Sequence, residues 1–244
     1  MKATLAVSAL ALAVSLPLLV LAEGEVSLPS DALLSVERPH GWSGGARYEY
    51  GSRSFKHDGT VTDFDMNHML GQAGYSPFSF LHVYAEAGWN RAERVDRTGQ
   101  GGFEWAAGAT VNLAQQVHSR SPVVGKKQWL ALEVDAAYRM AESNFEEDFQ
   151  WTEITVAPGL RYTINRIGEY LWLPQEPTGV SLLAGVVYSI LDGDLGDTSL
   201  KGNRDFAFRA GIDLRFASAW VTQLRGIFYS AEDRSLGVGL AYNF

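Results

Sequence analysis

The feature that most constrains this chain is a period of two. Between residues 205 and 216, Phe206, Phe208, Ala210, Ile212, Leu214 and Phe216 alternate with Asp205, Ala207, Arg209, Gly211, Asp213 and Arg215. Successive side chains of a β-strand point to opposite faces, so this segment has one wholly apolar face and one that is charged or tiny. The same split runs through 130–140, 152–162 and 103–113. Ten segments of this kind predict strands at about 45–55, 61–75, 79–95, 102–114, 128–142, 149–163, 179–191, 204–216, 219–230 and 235–244. Each is long enough for the roughly 9 to 11 residues that a tilted strand needs to cross a bilayer.

Alternation alone does not say which face meets water. In a soluble barrel the polar face points out, and in a membrane barrel it points into the lumen. Two features favour the membrane. The apolar faces of six of the ten strands carry no charge, although 20% of the residues are charged. Aromatic residues also gather near strand ends: Tyr75, Phe80, Trp129, Tyr162, Trp172, Trp220 and Tyr242 at one rim, Phe55, Trp89, Phe103, Trp105, Trp151, Phe206 and Phe228 at the other. Two such girdles are expected where rings meet lipid headgroups.

Composition removes several other classes. A chain with 7 Trp, 10 Tyr, 12 Phe and 46% hydrophobic residues is too apolar for intrinsic disorder. The absence of cysteine excludes disulfides, thiolate metal sites, a cysteine nucleophile and a lipid-anchored N-terminus. A net charge of −8 disfavours nucleic acid as a partner, because phosphate binding needs a basic surface. No phosphate-cradling glycine loop or metal-spaced histidine cluster is present, so no cofactor or metal is expected.

The first 22 residues read as an export signal. Lys2 precedes an apolar stretch rich in Ala and Leu, which ends at Val20, Leu21 and Ala22 before the acidic Glu23 and Glu25. The domain plan is therefore a cleaved signal peptide at 1–22, a periplasmic N-terminal segment at 23–43 and a barrel at 44–244.

The chain ends with Leu236, Val238, Leu240, Tyr242 and Phe244 at every second place. In this terminal strand, and in the alternation over about 200 residues, the sequence resembles small Gram-negative outer-membrane β-barrels, such as the OmpA transmembrane domain and the opacity-type proteins. It departs from them in having ten strands and no peptidoglycan-binding domain after the barrel. The resemblance implies an all-β, antiparallel up-and-down transmembrane barrel in the outer membrane, surrounded by lipid and lipopolysaccharide. It also implies that Leu240, Tyr242 and Phe244 form the signal read by the barrel assembly machinery, with Phe244 on the periplasmic side. Connections near 56–60, 96–101, 143–148, 192–203 and 231–234 then face outward, and those near 76–78, 115–127, 164–178 and 217–218 face the periplasm. Two of the latter are longer than the short turns expected there. The apolar run from Tyr170 to Pro174 lies outside any predicted strand and reads as an interfacial anchor or a contact for a periplasmic partner.

The inward positions hold Glu49, Glu86, Glu104, Glu133, Asp135, Glu153 and Asp213 against Arg47, Arg139, Arg161, Arg209, Arg215 and Arg225. Seven acids nearly balance six arginines. Unpaired charge is costly in a narrow lumen, so near-balance predicts paired networks that fill the barrel. These residues are the candidate site, either as a structural network or as the lining of a narrow channel for ions or small solutes. Catalysis is not expected. Asp63 and Asp65 beside His57 and Asp58 could activate water as a rim hydrolase, like the ten-stranded outer-membrane proteases of the omptin family, but no Asp-x-His pair stands opposite. His118 and Ser119 fall in a predicted periplasmic turn, and Asp192, Asp194 and Asp197 lack the spacing of a calcium loop. His68 falls on the apolar face of the second strand, which suggests a slipped register there.

Overall fold

The computed structural model describes residues 41–94, 97–99, 101–120, 127–144, 148–165, 177–203, 205–216, 219–230 and 233–244. The signal peptide, most of the N-terminal segment and the run from Tyr170 to Pro174 lie outside them. Twelve strands follow in order: β1 Gly41–His57, β2 Thr60–Phe78, β3 Leu81–Arg94, β4 Arg97–Thr98, β5 Gly102–Arg120, β6 Lys127–Asn144, β7 Asp148–Asn165, β8 Pro177–Leu195, β9 Thr198–Gly202, β10 Phe206–Phe216, β11 Trp220–Phe228 and β12 Arg234–Asn243. Ten of them form one closed antiparallel barrel, each pairing with its neighbours, with β12 on β1 and β10 on β8 to complete the ring. The predicted strands are these ten, extended at several ends. The barrel strand β1 begins at Gly41, three residues before the expected boundary.

Local chemistry explains the tight connections. Asp58 and Gly59 both have positive φ (46° and 87°), the geometry of a two-residue hairpin whose backbone twist matches its strands. The expected long connection at 115–127 is mostly strand, since β5 and β6 remain paired out to Arg120 and Lys127. His118 and Ser119 therefore lie on β5 and not in a turn. Likewise, the expected loop at 192–203 is the end of β8, a turn at Gly196 and Asp197, and the short strand β9.

Strand length divides the barrel along its axis. β10, β11 and β12 have 11, 9 and 10 residues, the length of a membrane crossing. β1, β2, β5, β6, β7 and β8 have 17 to 19. At the end away from the chain termini, here the far end, β1 and β8 run past the start of β10 and β12. There β9 pairs with both: with Asp192 to Leu195 on β8, and with Phe55 and Lys56 on β1. The ring of ten strands thus narrows to eight, and no open edge is left between β8 and β1.

The outward face is an apolar belt. Phe206 and Phe208 are 70% and 71% exposed, and Leu132, Leu160, Leu182, Ile212, Leu224, Leu236, Val238 and Leu240 are exposed with them. So continuous an apolar surface is incompatible with water and matches lipid. Rings at the terminal end form a chain across the closing seam, with Trp220 on Tyr242, Tyr242 on Phe244 and Trp42 on Tyr75 at 4.9–5.1 Å between centroids. Three residues expected in the girdles face inward instead: Trp129, Trp151 and Phe55 are buried at 3%, 3% and 0% exposure.

Candidate functional site

The lumen is built by the inward half of each alternation. On β1 the inward series is Arg47, Glu49, Gly51, Arg53 and Phe55; on β10 it is Ala207, Arg209, Gly211, Asp213 and Arg215. All thirteen charged residues predicted to face the lumen occupy such positions, and they sort into connected groups.

Nearest the terminal end, Arg161 holds Glu133 with two parallel hydrogen bonds, Nε to Oε2 at 2.7 Å and Nη2 to Oε1 at 3.1 Å, and also pairs with Asp213. Asp213 receives Arg225 as well, and Glu133 has Arg209 at 3.8 Å. Paired, fork-like contacts of this kind are the strong form of the charged hydrogen bond. Arg215 reaches the Ser181 hydroxyl at 3.5 Å. Two residues along β6 from Glu133, Asp135 accepts hydrogen bonds from Thr110 (2.8 Å) and Tyr84 (3.3 Å). Tyr84 can lie there because Gly108 has no side chain: a Cβ on Gly108 would sit 2.6 Å from the tyrosine ring.

Midway along the axis, Arg47 bridges to Glu86 (2.8 Å) and Glu49 (3.5 Å), and Arg139 bridges to Glu49 (3.4 Å) and Glu104 (3.3 Å). Glu104, wholly buried, also bonds His68. Further toward the far end, Arg53 pairs with Glu153 (2.9 Å), faces Asp233 at 3.7 Å and stacks 3.8 Å over the Tyr229 ring. Ser189 and Tyr229 donate to the same Glu153 carboxylate.

Arg53, His68 and Asp233 were not among the predicted lumen residues. Continuing the period of two from Arg47 and Glu49 reaches Arg53, which is the signal that identifies it. His68 is a correction: it shares the inward face of β2 with Phe64, Met66, Leu70 and Gln72, so the register has not slipped and the apolar face of this strand points into the barrel.

That inverted face explains the far end. Phe55, Phe64, Met66, Phe149, Trp151, Leu191 and Leu200 form a buried apolar cluster inside the eight-stranded segment. Phe64 stacks on Phe149 at 4.6 Å, and Phe55 meets both edge-on at 5.4 and 5.5 Å. Beneath this cluster the interior is polar and divided. A cavity of about 230 Å³ reaches the terminal rim, where Ser43 and Asn243 line it. A second cavity of about 120 Å³ lies between it and the apolar cluster. Arg47, Tyr84, Glu86 and Asp135 border both and form the constriction between them.

The other sequence candidates do not converge. Asp63 and Asp65 point away from the lumen on β2, and His57 donates to the Ser199 carbonyl (2.8 Å) with Asp58 3.3 Å away. Asp192 and Asp194 lie on the outward face of β8. Among the described residues no group of His, Asp and Glu is placed to hold a metal ion.

No family model and no curated protein matches the chain. Among solved structures it is similar to the transport unit of the autotransporter AIDA-I from Escherichia coli, with a TM-score of 0.57 and 9% identity over 85% of this chain and 92% of that one. The translocator domain of autotransporter NalP from Neisseria meningitidis aligns at 13% identity and a TM-score of 0.43, over 88% of this chain and 92% of that one. Neisserial surface protein A aligns at 13% identity and a TM-score of 0.33, over 83% and 97%. Similarity at such identities is one of architecture. With its closed ring and lipid-facing belt, the chain has the fold of the outer-membrane β-barrels and is an integral membrane protein of that class.

Proposed function

We propose that the protein is a non-catalytic barrel of the Gram-negative outer membrane, closed to solute flow, whose role is structural or adhesive at the cell surface. The observation that carries this reading is the packed cluster of Phe55, Phe64, Phe149, Trp151 and Leu200 across the far end of the lumen. Apolar side chains at van der Waals contact exclude water and therefore hydrated ions. The charged groups below them are mutually paired, which suits a network that stiffens the wall. The terminal alternation ending in Tyr242 and Phe244 supports a periplasmic position for the chain ends and recognition by the barrel assembly machinery. The far end then projects from the cell among the lipopolysaccharide sugars. A periplasmic partner at Tyr170 to Pro174 belongs to the same reading.

The competing reading is a narrow channel lined by Arg47, Glu49, Glu86, Glu133, Arg139 and Arg209, and planar-bilayer recording separates the two. The refolded protein is expected to be silent, and Phe64→Ala with Phe149→Ala is expected to open a steady conductance. Steady openings of the unaltered protein that change in Arg139→Ala would establish the channel instead.

A further inference from the structure

Seven of the eight staves that wall the far end are continuations of strands that cross the membrane; the eighth is β9, five residues long. It leaves β8 through a turn at Gly196, where φ is 54°, and it is fastened unequally on its two sides. With β8 it pairs at four positions, Asp192 to Leu195 against Lys201 to Thr198; with β1 it pairs at two, Phe55 against Gly202 and Lys56 against Lys201. Charge acts in the same sense. Lys201 is exposed on the outward face, with Asp192 opposite it on β8 and Lys56, also exposed, opposite it on β1. An unlike pair across two strands stabilises their ladder, and a like pair weakens it. β9 is therefore held to β8 and repelled from β1.

Besides the two ladder pairs, the β1–β9 seam is crossed by the Asn203 N–H, which donates to the Ser54 carbonyl (2.9 Å), by the His57 ring, which donates to the Ser199 carbonyl (2.8 Å), and by Leu200, which shares the apolar cluster with Phe55. These contacts all fall on residues 54–57 of β1, whereas β1 pairs with β2 along its whole length. Behind the seam stands the wall of the second cavity. Leu191 and Arg53 line that cavity, and a Cβ on Gly202 would stand 2.8 Å from the Leu191 Cβ. Exposing Leu191 and Leu200 to water costs more than the repulsion of two solvated lysines, so the seam is closed at rest.

We infer that β9 is a lateral gate in the far end of the barrel. It turns on Gly196, stays on β8 and parts from β1, and so opens the second cavity to the medium past Leu191 and Leu200 while Phe64 and Phe149 remain stacked. The inference rests on the closed-barrel reading, which describes the resting state, and adds the place at which that closure is released.

The test uses the full refolded chain. In detergent micelles, hydrogen exchange read by NMR is expected to be about tenfold or more faster at the Asn203 amide, which crosses the seam, than at the Ser189 amide, which donates to the Asp205 carbonyl (2.7 Å). Lys56→Glu, which sets an acid on each side of Lys201, is expected to slow Asn203 about fivefold and to leave Ser189 unchanged. Lys56→Cys with Lys201→Cys places two thiols at directly opposed Cα positions, within reach of a disulfide, in a chain with no other cysteine. Combined with Leu200→Ala, which weakens the apolar hold on the closed state, the reduced form is expected to give brief current bursts in a planar bilayer, and oxidation is expected to abolish them reversibly. Asn203 exchange no faster than that of Ser189, no response to Lys56→Glu, or a reduced form whose current does not differ from that of the oxidised one overturns the inference. Steady current through the oxidised pair with Leu200 retained shows instead that the closed-barrel reading has failed, and the gate with it.

Discussion

Glu104 shows what the buried charges contribute. Its side chain has no exposure, and its two oxygens engage His68 and the Arg139 guanidinium. Removing one partner of such a group leaves a charge or a polar ring in a low-dielectric site without compensation. Glu104→Ala is expected to cost about 3–5 kcal/mol in urea titrations of the barrel refolded in lipid. The paired change Glu104→Met with His68→Leu is expected to recover much of that loss, because Arg139 keeps Glu49. A loss below about 1 kcal/mol in the single variant would mean that water already reaches the pair. Tyr84 depends on a neighbour in a different way. Gly108→Ala is expected to push its ring off the sheet, loosen the hydrogen bond to Asp135 and destabilise the barrel by about 1–3 kcal/mol, which the same titration measures.

At the scale of elements, the alternation identified the ten membrane strands because each has two unlike faces, and β10 has the same inward and outward residues that its sequence implies. It did not identify which way every apolar face turns. Inside the membrane the apolar face meets lipid; beyond it the outside is water, and the apolar face turns inward. β2 spans this change: Phe64, Met66 and Leu70 point in while Asp63 and Asp65 point out. The same inversion moves Phe55 and Trp151 from the expected girdle into the cluster that closes the lumen. The strand β9 was not legible either, because five residues between turn signals carry little periodicity; its place is set by the ends of β1 and β8 that it pairs. Its Leu200 is the one side chain of that strand in the cluster, at 5% exposure. Leu200→Glu puts a charge among the stacked phenylalanines, and the expected outcome is ion conductance in a planar bilayer where the unaltered barrel has none. A silent Leu200→Glu barrel, shown folded by its gel mobility without boiling, would mean that the closure lies elsewhere along the axis.

The whole molecule is longer than the membrane it crosses. At about 3.3 Å per residue and a tilt near 40°, a 19-residue strand such as β2 projects roughly 48 Å along the axis, against a hydrocarbon core of about 30 Å. The 10-residue β12 projects roughly 25 Å, the height of the apolar band itself. The long strands must therefore stand clear of the bilayer where β10 to β12 have ended, and the eight-stranded segment is an extramembrane part whose rigidity comes from its own apolar core. The absence of cysteine makes this arrangement directly measurable, because any introduced thiol is the only one in the protein. With the chain ends in the periplasm, Asp63→Cys and Asp194→Cys are expected to react with a membrane-impermeant maleimide on intact Gram-negative cells. Leu182→Cys and Val238→Cys, on the lipid face, are expected to stay unlabelled. Gln223→Cys, in the terminal cavity, is expected to react only after the outer membrane is opened, because the phenylalanine cluster stands between it and the medium. Labelling of Gln223→Cys on intact cells while Asp194→Cys stays protected would invert the orientation. Labelling of both on intact cells would mean that the lumen is open from end to end.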